Sequence, residues 1–179
     1  MSDTPFYPRL LRPRIEEALR DSPVVLIHGA RQCGKTTLAR LIGESAGFTC
    51  YTFDDDVQRA AAIADPVGFV ADLPDRVVLD EVQRVPELFT SLKLAVDRDR
   101  RPGRFILTGS ANVLLVPRLA DSLAGRMEIM QLHPLSQAEL ERREPSFLRA
   151  LFSADFKSGP AGDRLGRALA DRVISGGFP

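Results

Sequence analysis

Short apolar runs separated by longer amphipathic stretches make up most of the chain. Continuous runs such as Val24-Val25-Leu26-Ile27 predict strands that are buried on both faces, because no polar position interrupts them. The pattern predicts five strands, at residues 24–27, 48–53, 76–81, 105–108 and about 127–132. After the first strand, Leu38, Leu41 and Ile42 recur at helical spacing.

Helices are also predicted before the first strand and in the later intervals. Leu11, Ile15, Ala18 and Leu19 share one face ahead of residue 24, and an alanine-rich helical stretch after residue 56 breaks at Asp65-Pro66. Further helices are predicted at residues 88–96 and 113–120 and from residue 136 onward, with a linker at residues 158–160.

Strands that alternate with helices favour right-handed crossovers and a mainly parallel sheet with helices on both faces. Ligands of such sheets bind at the carboxyl ends of the strands. The polar segments at residues 29–37, 54–55, 80–81 and 108–110 all follow predicted strands. We therefore expect an α/β domain whose binding site lies at the carboxyl ends of its strands.

The segment after the first strand has the spacing of a phosphate-binding loop. Residues 29–37 read Gly-Ala-Arg-Gln-Cys-Gly-Lys-Thr-Thr, which fits G-x-x-x-x-G-K-[ST] between a strand and a helix. Backbone N–H groups of such a loop surround a nucleotide phosphate, and the helix dipole assists them. We expect Lys35 to reach the β- and γ-phosphates and the Thr36 hydroxyl to hold Mg²⁺. The predicted nucleotide-binding residues are Gly29, Ala30, Arg31, Gln32, Cys33, Gly34, Lys35, Thr36 and Thr37.

Two carboxylates, Asp80 and Glu81, end the predicted strand at residues 76–81. A phosphate-loop nucleotidase needs an acidic group at this position to hold Mg²⁺, and Asp80 fits that need. Glu81 is the candidate base that orients and deprotonates the attacking water. A metal-binding Asp followed by a Glu indicates a hydrolase rather than a kinase. The alternative is a solvated strand end with no role in chemistry.

Other polar residues near the strand ends are candidates with open alternatives. Thr108 and Ser110 could contact the γ-phosphate or sense its hydrolysis, or they could form an ordinary turn capped by Asn112. Arg126 could stabilise the transition state, in cis or from a neighbouring subunit, or it could be a surface residue. Asp54-Asp55 could support the metal site or form a polar turn.

Composition narrows the class of protein without naming a partner. The 179 residues carry 24 Lys+Arg and 24 Asp+Glu, so the balance neither supports nor excludes a nucleic-acid partner. Residues 97–104 interleave acids with arginines and are expected to be a solvated loop. No segment resembles a signal peptide or a membrane span, and Cys33 and Cys50 lack metal or disulfide spacing. We expect a reduced, cytoplasmic protein in which His28 and His133 are structural.

Four segments together resemble the prokaryotic AAA-type ATPases that carry a C-terminal domain of unknown function, a family similar to archaeal-type and STAND-like ATPases. These segments are residues 29–38, 79–88, 102–112 and 122–126, the last of which reads Ser-Leu-Ala-Gly-Arg. Gln83 and Arg84 also match this family, without an assigned role.

The resemblance implies a three-layer αβα fold with a mainly parallel five-stranded sheet in the order 5-1-4-3-2. An extra strand then separates the phosphate-loop strand from the Asp-Glu strand. The resemblance also implies ATP and Mg²⁺ as ligands, with Lys35 and Thr36 on phosphate and metal, Asp80 on metal and Glu81 as the catalytic base. Family members are usually longer, so the chain resembles their ATPase core at residues 1–140, followed at 141–179 by a helical extension that would begin a lid or C-terminal region.

The expected function is a Mg²⁺-dependent ATPase that couples hydrolysis to a conformational change in an unidentified protein partner or C-terminal domain. The alternatives are a nucleotide-dependent module that binds DNA or protein with little turnover, and a small-molecule kinase. A homo-oligomer is left open, and no membrane partner is expected. A GTPase is disfavoured because the chain has no Asn-Lys-x-Asp segment.

Overall fold

The computed structural model describes residues 6–110, 123–153 and 166–179. By their internal contacts these residues form two compact units. One unit is Leu10–His133, and the other combines the described parts of Met1–Arg9 and Pro134–Pro179. The first unit contains the sheet and every candidate site residue.

A single five-stranded sheet forms the centre of the first unit. Its strands are β1 (Val24–Gly29), β2 (Thr49–Thr52), β3 (Val77–Asp80), β4 (Phe105–Ser110) and β5 (Met127–Leu132). All neighbouring pairs are parallel, and the order is β2-β3-β4-β1-β5. The predicted order 5-1-4-3-2 is thus confirmed, with β4 as the extra strand between β1 and β3.

Helices connect these strands and continue into the second unit. In the first unit they are α1 (Arg12–Asp21), α2 (Lys35–Ala46), α3 (Asp56–Ala64), α4 (Pro66–Ala71), a 3₁₀ turn (Val82–Arg84) and α5 (Leu88–Arg98). In the second unit they are α6 (Gln137–Leu140), α7 (Phe147–Phe152) and α8 (Gly166–Ser175). None of the helices in the described part of the chain has the length and apolarity that a bilayer-crossing segment needs.

Two apolar clusters, one on each face of the sheet, give the three-layer arrangement. One cluster joins Leu26 of β1 to α4 and α5, and the other joins Val25 and Ile27 of the same strand to α1 and α2. β1 is buried along its whole length because both of its faces are covered. Each fully buried Leu, Ile or Phe side chain in these clusters contributes about 1.5–3 kcal/mol relative to an exposed one.

Most predicted elements are present, with small shifts at their ends. β2 begins one residue later than predicted, and β4 continues to Ser110 because it pairs with β1 as far as Gly29. α3 begins after Asp55, whose side chain accepts hydrogen bonds from the N–H groups of Val57 and Gln58. The predicted helix at 113–120, the cap at Asn112 and the linker at 158–160 lie outside the described residues.

The second unit contains short helices with clear local signals. α6 begins with a capping box in which the side chains of Ser136 and Glu139 each accept a hydrogen bond from the other's backbone N–H. The division of the sequence into a core at 1–140 and an extension at 141–179 stays a prediction.

Candidate functional site

The phosphate-loop sequence forms a tight connection between β1 and α2. Gln32 and Gly34 both have left-handed backbones, with φ of 63° and 92°, and Gly34 directly precedes the first residue of α2. At Gly29 a β-carbon would overlap the carbonyl oxygen of Leu132 on β5, so only glycine fits there. The loop therefore keeps its backbone free to approach a ligand at the N-terminus of α2.

Side chains of the loop divide between the interior and the surface. Cys33 is fully buried, and its thiol donates to the carbonyl oxygen of Leu132 over 3.4 Å. Ala30, Arg31, Gln32 and Thr37 are exposed. The buried Cys33 anchors the loop to β5, whereas the exposed side chains are accessible to a ligand or to solvent.

Lys35 is a buried cation at the centre of the loop. It is 5% exposed, and its Nζ donates to the carbonyl oxygen of Ala30 over 2.8 Å. Among the described residues no carboxylate forms a salt bridge with it. Because a buried charge without a counter-ion is unfavourable, this arrangement is suited to an anionic ligand.

Hydroxyl groups from three elements converge on the buried carboxylate of Asp80. Thr36 at the start of α2 donates to its Oδ1 over 2.8 Å, and Thr108 on β4 donates to the same oxygen. Thr52, the last residue of β2, donates to Oδ2 over 3.3 Å. Hydrogen bonds to an ionised carboxylate are stronger than neutral ones, so this cluster fixes the side chain at the carboxyl ends of three strands.

The residues around Asp80 fit Mg²⁺. Mg²⁺ takes oxygen ligands, keeps several waters and is usually bound by one or two protein side chains together with substrate phosphates. The Thr36 hydroxyl and the Asp80 carboxylate, already in contact, supply such oxygens beside the phosphate loop.

Glu81 follows Asp80 in a backbone conformation that is uncommon for residues other than glycine. Its φ and ψ are 57° and 43°, and its N–H donates to the Thr108 hydroxyl over 3.1 Å. Oε2 of the half-buried side chain accepts a hydrogen bond from Nε2 of Gln83. The left-handed backbone turns the chain out of β3, so that Asp80 and Glu81 do not simply alternate as in a strand.

The candidate sensor residues on β4 differ in their surroundings. The Thr108 hydroxyl is fully buried, donates to Asp80 and accepts from Glu81, so it links the two acidic residues. Ser110 is half-buried and lies beside Gly29 in the register of β1 and β4. Ser110 is thus the one next to the start of the phosphate loop, and its contact with a γ-phosphate stays a prediction.

Known proteins resemble this chain in sequence and in fold. A family model described as an AAA domain matches residues 21–141. The chain belongs to the AAA domain family. The uncharacterized proteins Rv2008c of Mycobacterium tuberculosis and Mb2031c of Mycobacterium bovis are each 43% identical to it over 123 residues, which are 69% of this chain and 28% of theirs. The matched part thus spans less than a third of the length of these curated relatives.

Solved structures share the fold of this AAA domain. The Walker-type ATPase PABY2304 of Pyrococcus abyssi has a TM-score of 0.53 at 17% identity, over 87% of this chain and 60% of that one. Domain III of the replication initiation protein DnaA of Thermotoga maritima has a TM-score of 0.51 at 16% identity, over 87% and 75%. The predictions of an AAA-type P-loop ATPase domain and of a three-layer αβα fold are confirmed.

Arg126 lies at the amino-terminal end of the strands of the AAA domain's sheet, whereas the phosphate loop lies at their carboxyl end. It precedes β5, whose first residue pairs with Val24, whereas the last pairs with Gly29. The two ends of β5 are roughly 17 Å apart, given the usual rise per residue of a strand. Its Nε contacts Oδ1 of Asp97 at 2.6 Å, and this hydrogen bond is the main cause that lowers the pKa of Asp97. This position does not favour the alternative in which Arg126 acts in cis, and its role in the transition state stays a prediction.

Asp54 and Asp55 have separate contacts in the AAA domain. Asp55 caps α3, as described above, and Asp54 forms an exposed salt bridge with Arg84 at 2.7 Å. Asp55 therefore fits the polar-turn alternative for this segment.

His28 is buried beside the loop of the AAA domain. Its Nδ1 has no hydrogen-bond partner among the described residues. Burial is the main cause that lowers the pKa of His28 below 6.5, and the charges of His133 and Lys35 lower it further. From the sequence, His28 and His133 are expected to be isolated structural residues. In the fold they are close enough to interact electrostatically.

Proposed function

We propose that this AAA domain binds ATP with Mg²⁺ and hydrolyses it to ADP and phosphate. The observation that carries the proposal is the contact between Thr36, on the phosphate-loop helix, and the buried carboxylate of Asp80. This contact brings a hydroxyl and a carboxylate together beside a buried lysine that has no counter-ion among the described residues. Phosphate-loop ATPases use such a combination for nucleotide and metal.

Each residue has a distinct task in the proposed reaction. The loop backbone and Lys35 hold the β- and γ-phosphates and favour the charge that develops during transfer. Thr36 and Asp80 would hold Mg²⁺, which supplies positive charge at the phosphate oxygens when it is bound. Glu81 takes a proton from the attacking water as the water oxygen bonds to the γ-phosphorus. The bond from that phosphorus to the bridging oxygen breaks, and ADP leaves.

Hydrolysis would be coupled to a change in another protein or in a further region of a longer chain. Because the matched part spans 28% of the mycobacterial relatives, most of their length lies outside the region that resembles this chain. A bound nucleotide can order a segment or close a hinge, and its hydrolysis releases that change, which is the sense in which we infer coupling.

Metal-dependent nucleotide binding tests the proposal. The wild-type chain should bind ATP and release phosphate only when Mg²⁺ is present. Lys35→Met should weaken ATP binding about tenfold or more, equal to about 1.4 kcal/mol or more. Lys93→Met is the matched control, because Lys93 lies on α5 outside the proposed site, and it should bind like the wild type. Equal ATP binding by Lys35→Met and the wild type would contradict the proposal, as would turnover that survives a chelator.

A further inference from the structure

The side chain of Gln83 is held next to the carboxylate of Glu81 by a rigid turn. The 3₁₀ turn Val82–Arg84 is closed by Arg84 N–H to the Glu81 carbonyl at 3.0 Å and by Val85 N–H to the Val82 carbonyl at 3.1 Å. Val82 and Val85 are both buried in the core cluster that contains α5. The backbones of Gln83 and Glu81 therefore keep a fixed relation to each other, and only the side chain of Glu81 depends on the amide contact.

Only one of the two polar atoms of the Gln83 amide has a hydrogen-bond partner among the described residues. Its Nε2 donates to Oε2 of Glu81, whereas its Oε1 is buried and accepts no hydrogen bond from the described residues. Turning the amide round would place Oε1 against the carboxylate oxygens, so this is the orientation that the chemistry permits. A buried acceptor without a partner destabilises the folded state, because it has lost its hydrogen bonds to water. Because an apolar side chain would avoid that cost, stability does not explain a glutamine here.

The contact assigns different tasks to the two oxygens of Glu81. Oε2 is occupied by the amide N–H, which leaves Oε1 as the oxygen that can take a proton from water. A base must be within hydrogen-bond reach of the proton that it removes, and a carboxylate on a flexible stem needs something to hold it there. The left-handed backbone of Glu81 and its N–H contact to Thr108 fix the main chain, and the Gln83 amide fixes the side chain.

We infer that Gln83 is a positioning residue for Glu81: its amide holds the carboxylate so that Oε1 faces the attacking water. The inference rests on the proposed function, since it concerns the base of the ATPase reaction. Gln83 acts through Glu81 and does not itself take the proton. In the transfer step the proton from water goes to Oε1 of Glu81, the water oxygen bonds to the γ-phosphorus, and ADP leaves with the bridging oxygen.

Gln83→Met tests the inference because methionine has nearly the same length and shape but no hydrogen-bonding amide. We expect kcat to fall about tenfold or more, while the KM for ATP changes by less than about threefold. The melting temperature should be equal to or higher than that of the wild type, because the unsatisfied buried oxygen is gone. Gln137→Met on α6 of the other unit is the matched control and should leave all three quantities unchanged.

Gln83→Glu provides a readout that a purely structural residue would not change. Glutamate keeps the length of the side chain but replaces the N–H donor by a second carboxylate, which repels the carboxylate of Glu81. We therefore expect kcat of Gln83→Glu to fall at least as far as that of Gln83→Met, while the KM for ATP changes by less than about threefold.

The outcomes separate this inference from the proposed function when Glu81→Gln is measured alongside. If Glu81→Gln is inactive and Gln83→Met has wild-type kcat, the inference is overturned and the ATPase assignment stands. The inference is also overturned if Gln83→Met unfolds or melts at a lower temperature, or if Gln83→Glu keeps the wild-type kcat. If the wild type releases phosphate no faster than Glu81→Gln, the proposed function fails and the inference fails with it.

Discussion

Thr36 donates its hydroxyl hydrogen to Oδ1 of Asp80 over 2.8 Å, which joins the first turn of α2 to the end of β3. The two residues are 44 positions apart in the sequence. In the sheet, β4 separates β3, which ends at Asp80, from β1, which leads into the phosphate loop. Because Asp80 is buried and Thr36 is the second residue of the helix that follows the phosphate loop, the contact links the two proposed metal ligands.

Thr36 and Thr52 both donate a hydroxyl to Asp80, and replacing each by valine should distinguish a metal ligand from a residue that only supports the carboxylate. Thr36→Val should weaken ATP binding in Mg²⁺ by about tenfold or more and have little effect in a chelator, because it removes a proposed metal ligand. Thr52→Val removes only the 3.3 Å contact to Oδ2 and is the matched control, with a change of less than about threefold. Titration of labelled ATP with and without Mg²⁺ measures both. Equal losses in the two variants would contradict the assignment of Thr36.

Gly29→Ala should destabilise the fold because the added carbon overlaps a backbone oxygen. At Gly29 the neighbour is the carbonyl of Leu132, which cannot move without disturbing β5, and we expect a loss of about 1–3 kcal/mol in the free energy of unfolding. Gly47→Ala is the comparison, because Gly47 has a left-handed φ of 74° but open space around it, so that only backbone strain of about 1 kcal/mol is added. Urea unfolding measures both losses, and a smaller loss at Gly29 than at Gly47 would count against this packing.

His28 should make the folded protein less stable in mild acid. Its pKa is lowered in the folded state, so below pH 6.5 the unfolded chain takes up a proton more readily than the native one. The free energy of unfolding should therefore fall as the pH drops from 6.5 towards the lowered value. His28→Gln cannot take up this proton and should show a shallower fall between pH 7.5 and 5. Identical slopes for the two proteins in urea unfolding would contradict the burial of a neutral His28.

Arg126 should matter for turnover only if chains assemble. Its salt bridge with Asp97 is partly exposed to solvent, which screens it, so Arg126→Ala should change the free energy of unfolding only slightly. If a neighbouring subunit supplies the arginine, turnover per chain should rise with protein concentration in the wild type and not in Arg126→Ala. Phosphate release measured with the molecular mass across a dilution series decides this. A wild-type rise that Arg126→Ala matches would exclude the role.

The contiguous features of the site can be read from the sequence, and the contacts between distant residues cannot. The phosphate loop and the Asp80-Glu81 pair are short segments whose spacing carries their chemistry, and the alternation of strands and helices places them at one edge. Thr52 has no motif around it, and its part in the cluster depends on the register that sets it beside Asp80.

The position of Arg126 and the Gln83 contact both depend on tertiary structure that short sequence motifs do not encode. The sequence leaves the role of Arg126 open, and the fold adds its position: a residue before a parallel strand lies at the end of the sheet opposite the ligand. The Gln83 contact depends on the left-handed backbone of Glu81 and on the 3₁₀ turn, and neither has a reliable sequence signal. Asp55, by contrast, precedes a helical pattern and is recognisable as a cap.

The most direct test of the account is steady-state phosphate release from ATP by the wild-type chain and by Glu81→Gln, with ATP binding measured on both. Glutamine keeps the shape of the side chain but cannot take a proton from water. The account predicts Mg²⁺-dependent release in the wild type, release at background level in Glu81→Gln, and ATP affinities within about threefold of each other. Equal turnover by the two proteins would contradict the claim that Glu81 is the base of an ATP hydrolysis site.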